Sequence, residues 1–483
     1  MEVQEDLVVP EEKMRRRVKY DVRGNRTHRD NTCRRQGFRS PGVRFLAWAV
    51  ILPALLARGH AKYSGGDGTA ETPYLLASAS DLATLATAPH DWAAHFKLTA
   101  HVDMADLSAQ MANPIGDRFV PFRGTFDGGN KKILNFRHVS SQTDDVGLFG
   151  FVRGSATEIR NVHLVEPHVQ CAGANAGALV GQFHSGTVRN CRVERARIAG
   201  HRAVGGLVGW NQGAIFDCRV SGEITGEFSV GGLAGITFWG DGIRRCRADA
   251  TVSGVNRVGG LVGACGLAEI HWCASTGRVE AESNAGGLVG AAEGAIVQNC
   301  YSWATVLAND RVGGLIGSNG PSCQCSAGAL PSEVAFCYAT GLVSGQSATG
   351  GLVGVNEDSE VVASFWDIEA SGRPVSAGGT GGTTAQLQSP LLFLDAGWNF
   401  AATQPPPEFW IVKNGSYPRG AWEAIKGDFD EDGDIDLRDF AFLAVRWRSP
   451  DASFRTGGTD LTDDERTDLR DLEALATAWL RDR

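Results

Sequence analysis

Between residues 146 and 366 the apolar positions recur with a period near 27 residues. A signature reading V-G-G-L-V-G, aligned on its leucine, falls at Leu148, Leu179, Leu207, Leu233, Leu261, Leu288, Leu315 and Leu352, with spacings of 31, 28, 26, 28, 27, 27 and 37. Later in each repeat an apolar residue stands three positions before a cysteine: Val188 and Cys191, Ile215 and Cys218, Ile243 and Cys246, Ile270 and Cys273, Val297 and Cys300, Val334 and Cys337. The last copy has Val361 and Ser364. A third branched apolar position follows at Ile198, Ile224, Val252, Val279, Val306 and Val343. Three short patches separated by Gly and polar residues suit three short strands joined by corners. One repeat cannot bury its own apolar face, so stacked coils are expected, each inward position becoming a ladder of like residues. With strands about 4.8 Å apart, eight coils make a rod roughly 40 Å long. A β-sandwich has no reason to repeat its sequence at this period.

Such a rod needs covers at both ends. Residues 62–145 read as the first, with a helix around Ser80 to Ala88, a strand from His95 to Val102, and a Gly-rich turn in Pro121–Phe136 leading into a first coil. Residues 367–423 read as the second and a linker, their aromatics in LLFLDAGWNF, FWIV and YPRGAWE expected to plug the last coil.

Charge separates the ends from the body. The first 61 residues hold 13 of the 46 Lys and Arg and 7 of the 55 Asp and Glu; the remaining 33 and 48 leave a formal net of −15. That balance disfavours nucleic acid as a partner. The basic leader runs into Phe45–Ala57, an apolar run too short for the roughly 20 residues that cross a bilayer, and then Gly59 and Ala61 fit a cleavage site. Residues 1–61 therefore read as a leader and secretory signal, with an uncleaved anchor as the alternative, and the chain as secreted or displayed at the cell surface with no membrane span in its mature part.

Residues 424–483 carry a different chemistry. GDFDEDGDIDLRDF places Asp428, Asp430, Asp432, Asp434, Asp436 and Asp439 at positions 1, 3, 5, 7, 9 and 12 of a loop with Gly433 at 6. Calcium takes six to eight oxygens, and one turning loop with this spacing supplies them. A worn second copy offers Asp460, Asp464, Asp468 and Asp471 at positions 1, 5, 9 and 12, with Thr462 and Glu465 replacing a carboxylate and the glycine, which leaves a second Ca2+ open.

Six cysteines share one repeat position and are expected to stack inside as small apolar side chains. Equivalent Cβ atoms near 4.8 Å are wider than a disulfide needs, although export makes oxidation feasible. Cys323 and Cys325 lie in the insertion that lengthens the seventh repeat. No HExxH, GxSxG or nucleophile with a nearby base occurs, and no catalytic residues are assigned. The residue after the ladder cysteine gives an outward row, Arg192, Arg219, Arg247, Ala274, Tyr301 and Tyr338. Arginine forks and aromatic faces suit a glycan, while a solvated face that discourages aggregation is the simpler reading.

The V-G-G-L-V-G repeats resemble the GLUG motif of bacterial surface and secreted proteins, including some adhesins, filamentous-haemagglutinin-like proteins and immunoglobulin A peptidases, over about residues 65 to 420. The resemblance implies an all-β, right-handed parallel β-helix and says little about ligand. The two tandem loop-and-helix units resemble a type I dockerin, which implies a small α-helical calcium module and a cohesin-type or cell-envelope partner. Two functions follow as expectations: a non-catalytic surface or matrix rod of adhesion type, docked by its tail, or a carbohydrate-active β-helix enzyme, a polysaccharide lyase or hydrolase, carried by the same module.

Overall fold

The computed structural model describes residues 62–105, 113–140, 144–321, 330–400, 408–412, 415–423, 440 and 469–482. The chain divides after Arg58, and the first unit, with the expected signal, lies outside the described residues. The second unit is a parallel β-solenoid of about nine turns.

The coils that start at Leu207, Leu233 and Leu261 each have four strands rather than three. After Leu233 they run Ala234–Phe238, Ile243–Arg244, Arg247–Ser253 and Asn256–Gly259, and the next coil starts at Leu261. Every strand pairs in parallel with its equivalents one coil above and below, as in Val208↔Ala234↔Val262 and Ile215↔Ile243↔Ile270. The fourth strands form a separate seven-stranded sheet. The additional strand arises because V-G-G-L-V-G is itself a corner: Val258 ends one sheet, Leu261 and Val262 begin the next, and all three are buried.

The signature glycines are sterically required. A Cβ on Gly259 would lie 2.0 Å from the Val262 carbonyl of its own coil, one on Gly260 would lie 2.0 Å from the Gly287 carbonyl of the next, and one on Gly263 would lie 2.4 Å from the Val230 nitrogen of the previous coil. Three backbones meet there and leave no room for a methyl group.

Two further corners use left-handed residues. The residue before each ladder cysteine has positive φ, as at Asn190, Asp217, Arg245, Trp272, Asn299 and Phe336, and so does the one before each inward valine, as at Ala203, Ser229 and Arg257. Non-glycine residues resist this conformation, so stacking on neighbouring coils must hold them there.

The interior is a set of ladders. Leu179, Leu207, Leu233, Leu261, Leu288, Leu315 and Leu352 are fully buried, as is each branched residue before the cysteines from Val188 to Val334, apart from Ile243 at 1% exposure. Burial at such a position stabilises by about 1.5–3 kcal/mol per side chain. The cysteines stack as free thiols. The amide of Cys218 donates to the sulfur of Cys246 one coil on (3.4 Å), and the pattern repeats from Cys246 to Cys273, Cys273 to Cys300 and Cys300 to Cys337. Each thiol in turn donates to the carbonyl two residues before it, at 3.1–3.4 Å for Cys218 and Cys246. Ser364 ends the row with the same bonds, its hydroxyl accepting from the Cys337 amide (3.1 Å) and donating to Val362 (2.8 Å). The corner amide thus finds an acceptor in any small side chain that both donates and accepts. Cys323 and Cys325 lie outside the described residues.

At the first end the strand Tyr74–Leu76 pairs with His95–Leu98, which pairs with Thr125–Leu134. The helix Ala79–Ala86, started by a Ser78/Asp81 capping box, places Leu82 and Leu85 over the core. At the other end Thr380–Gly382 pairs with Phe365–Asp367. Among the described residues no helix is long and apolar enough to cross a membrane.

Candidate functional site

The row after the cysteines points away from the coil interior, and its register is continuous: Arg192↔Arg219↔Arg247↔Ala274↔Tyr301↔Tyr338↔Phe365. Its aromatic half is not open to a ligand. Tyr301 and Tyr338 are 1% and 0% exposed. The described residues between Thr383 and Glu423 run back along this flank as a strap, their Leu387, Phe393, Trp398 and Trp410 packing on Trp272, Ala274, Tyr301, Tyr338 and Phe365. These aromatics therefore cover the flank instead of plugging the last coil. An outward aromatic ladder is an apolar stripe, and covering it removes that surface from water.

The strap is fastened by polar bonds at the edge of that cluster. Tyr301 and Tyr338 stack at 5.2 Å and 15°. The Tyr301 hydroxyl donates to the Glu423 carboxylate at 2.7 and 2.8 Å, and Arg247 pairs with the same carboxylate at 2.9 Å. Tyr338 donates to the Pro418 carbonyl and accepts from the Trp303 indole (2.9 Å). Burial pushes both phenols well above their ordinary pKa. Glu408 holds Arg244 and Arg245 at 3.2 and 3.4 Å. Glu423 and Glu408, which sequence reasoning did not single out, carry no motif; only their partners one flank away give them a role.

The arginine half is partly exposed. Arg192 pairs with Glu194 at 2.7 Å, and His163 Nε2 lies 3.1 Å from the same carboxylate. His163 first, and then Arg192 and Lys132, hold the Glu194 carboxyl down to about 2. Arg219 lies in register between Arg192 and Arg247.

An open cleft of about 370 Å³ lies beside the corner before the fourth strands, lined by Ser140, Gln170, Cys171, Gly200, His201 and Glu227. His201 Nδ1 is 3.2 Å from Glu227, one coil away. Their separation of 26 residues is one repeat, a signal that coil spacing could have supplied. Cys171 is no nucleophile here: it is buried, its thiol faces the Ala174 carbonyl at 3.8 Å, and burial pushes its pKa up to about 11.

Of the calcium-loop residues, Asp471 lies buried in the helix Leu469–Asp482. Asp428, Asp430, Asp432, Asp434, Asp436, Asp439, Asp460, Asp464 and Asp468 lie outside the described residues.

Comparison with known proteins places one coil of this fold in a described motif. The family model of the GLUG motif matches residues 200–225. Halomucin of Haloquadratum walsbyi is 28% identical over 171 residues, which is 35% of this chain and 2% of halomucin. A putative Gly-rich membrane protein of Evansella cellulosilytica is 31% identical over 137 residues, 27% of this chain and 16% of that protein. The chain thus spans a small part of these curated relatives. A crystal structure of a putative immunoglobulin A1 protease from Bacteroides ovatus aligns with 75% of this chain and 96% of its own, at 18% identity and a TM-score of 0.42.

Proposed function

We propose that this protein is an exported, non-catalytic surface or matrix rod of adhesion type. Its solenoid displays a binding face, and residues 424–483 dock it, through Ca2+, to a cell-envelope or cohesin-type partner. The observation that carries this reading is where the reactive and aromatic residues go. The cysteines are spent on corner hydrogen bonds, and Tyr301, Tyr338 and the tail aromatics on fastening the strap. What the flank offers to solvent is a row of ion-paired and partly exposed arginines, a surface that holds a ligand without transforming it. The similarity to halomucin and to a Gly-rich membrane protein supports a place at the cell surface. The loop from Asp428 to Asp439 has the donor chemistry of a calcium site, with hard carboxylate oxygens at alternate positions and Gly433 at the bend.

The test is a polysaccharide panel incubated with the full chain and read two ways, by retention and by release of reducing ends or unsaturated products. The expected result is retention on at least one polymer with product at the level of a heat-denatured control. Product formation proportional to protein concentration would replace this reading with that of a carbohydrate-active enzyme.

A further inference from the structure

The sheet built from the third strands carries more positive charge at its first end than the post-cysteine row alone supplies. That row extends backwards from Arg219 and Arg192 through His163 to Lys132, whose amide donates to His101 Nδ1 at 2.9 Å. A second outward row runs parallel to it on the same sheet, Arg137↔His168↔Arg197. Between the two rows Arg195 stands exposed on a left-handed residue and pairs with Glu166 at 2.9 Å. Among the described residues the face holds six Lys or Arg, namely Lys132, Arg137, Arg192, Arg195, Arg197 and Arg219, against the four carboxylates of Asp103, Glu166, Glu194 and Glu223, in a chain whose formal net charge is −9. Among the described residues no carboxylate forms an ion pair with Lys132, Arg137 or Arg197, and Arg137 and Arg197 are exposed.

The imidazoles on this face report its potential. Burial, and then the cations Arg137 and Arg197, hold His168 below its ordinary pKa, and burial followed by Lys131 and Lys132 does the same to His101. Among the described residues the strap's ion pairs reach Arg244, Arg245 and Arg247.

We propose that this face binds an acidic polysaccharide lying along the rod axis, its carboxylates or sulfates met by Lys132 on one row and by Arg137 and Arg197 on the other. The proposal rests on the reading of the rod as a binding surface and names the ligand class and the place. Geometry favours a linear polyanion. Positions along each row stand one strand apart, about 4.8 Å, and Arg137 and Arg197, on either side of His168, stand two strands apart, roughly 10 Å, a spacing of the order of two sugar rings of a polyuronate. A bilayer is disfavoured because none of the exposed large apolar residues, such as Trp239 or Leu391, lies on this face to enter it. Nucleic acid is disfavoured because the two rows carry no Phe, Tyr or Trp at this end on which bases could stack.

The experiment measures binding of the full chain to polygalacturonate, with dextran, phosphatidylglycerol vesicles and single-stranded DNA as competitors, for the wild type and for Arg137→Gln/Arg197→Gln. Both residues are exposed, so the variant should melt like the wild type. Polygalacturonate should bind where dextran does not, weaken as salt rises, and lose about tenfold or more in affinity in the variant. Equal affinity of variant and wild type, no binding to polygalacturonate, or tighter binding to vesicles or DNA would each overturn the proposal. Bound polygalacturonate that is also cleaved would leave this assignment standing and remove the non-catalytic reading instead.

Discussion

At the scale of single residues, the cysteine row shows how a conspicuous side chain can be entirely structural. From Cys246 to Cys337 each sulfur accepts from the cysteine amide of the coil before it, and each thiol donates within its own coil, so removing one leaves a buried N–H without a partner. Cys246→Ala should therefore cost about 1–3 kcal/mol in chemical denaturation, and Cys246→Ser less than about 1 kcal/mol, because Ser364 already fills the position at the end of the row. Equal costs for the two would mean that packing alone sets the position.

Glu194 makes a second residue-level prediction, through pH. Its carboxyl titrates at about 2 in the folded chain, below its unfolded value, so the unfolded state binds the proton more tightly. The stabilisation is present above about pH 5 and is lost as pH falls towards about 2. Because the pair is partly in water, it should amount to about 1–2 kcal/mol rather than the full value of the shift. Glu194→Gln should flatten the acid limb of a stability–pH curve over that window; an unaltered limb would place the loss elsewhere.

At the scale of elements, the strap is held by its own aromatic cluster, distinct from the solenoid core. Trp410→Ala should cost about 3–5 kcal/mol of strap docking. Glu423→Ala, which leaves Arg247 and Tyr301 facing each other without their carboxylate, should also release it. In limited proteolysis both variants should be cut first between residues 384 and 423 while the coils persist; simultaneous loss of the coils would make the strap part of the core. The sequence read coarsely here. Val258-Gly259 and Leu261-Val262 look like one apolar patch because the corner between them consists only of glycine, so a fourth strand went uncounted. The path of the strap was equally hidden, since aromatics that cover an end and aromatics that cover a flank look alike. The usable signal was the change of the outward row from arginine to tyrosine after Ala274, which creates the stripe that the strap covers.

At the scale of the whole molecule, the coil was legible because its period places every ladder in register, and the register makes repeats interchangeable. Deleting residues 207–232, one complete repeat that joins Gly206 to Leu233, should give a shorter folded rod of lower stability, whereas deleting 207–219 should abolish cooperative unfolding. Circular dichroism melts of the two deletions distinguish these outcomes. The candidate site was less legible. The basic face draws on residues from four coils, and only the pairings Lys132↔His163↔Arg192↔Arg219 and Arg137↔His168↔Arg197 bring them into rows.

We propose a division of labour between a rod that folds on its own ladders and a tail organised by Ca2+, and hydrogen exchange of the full chain, in calcium and in EDTA, separates the two. Amides from residues 174 to 350 should keep their protection in both conditions, while those of residues 424 to 483 should lose it in EDTA. Unchanged protection across the tail, or loss of protection in the coils, would contradict the account.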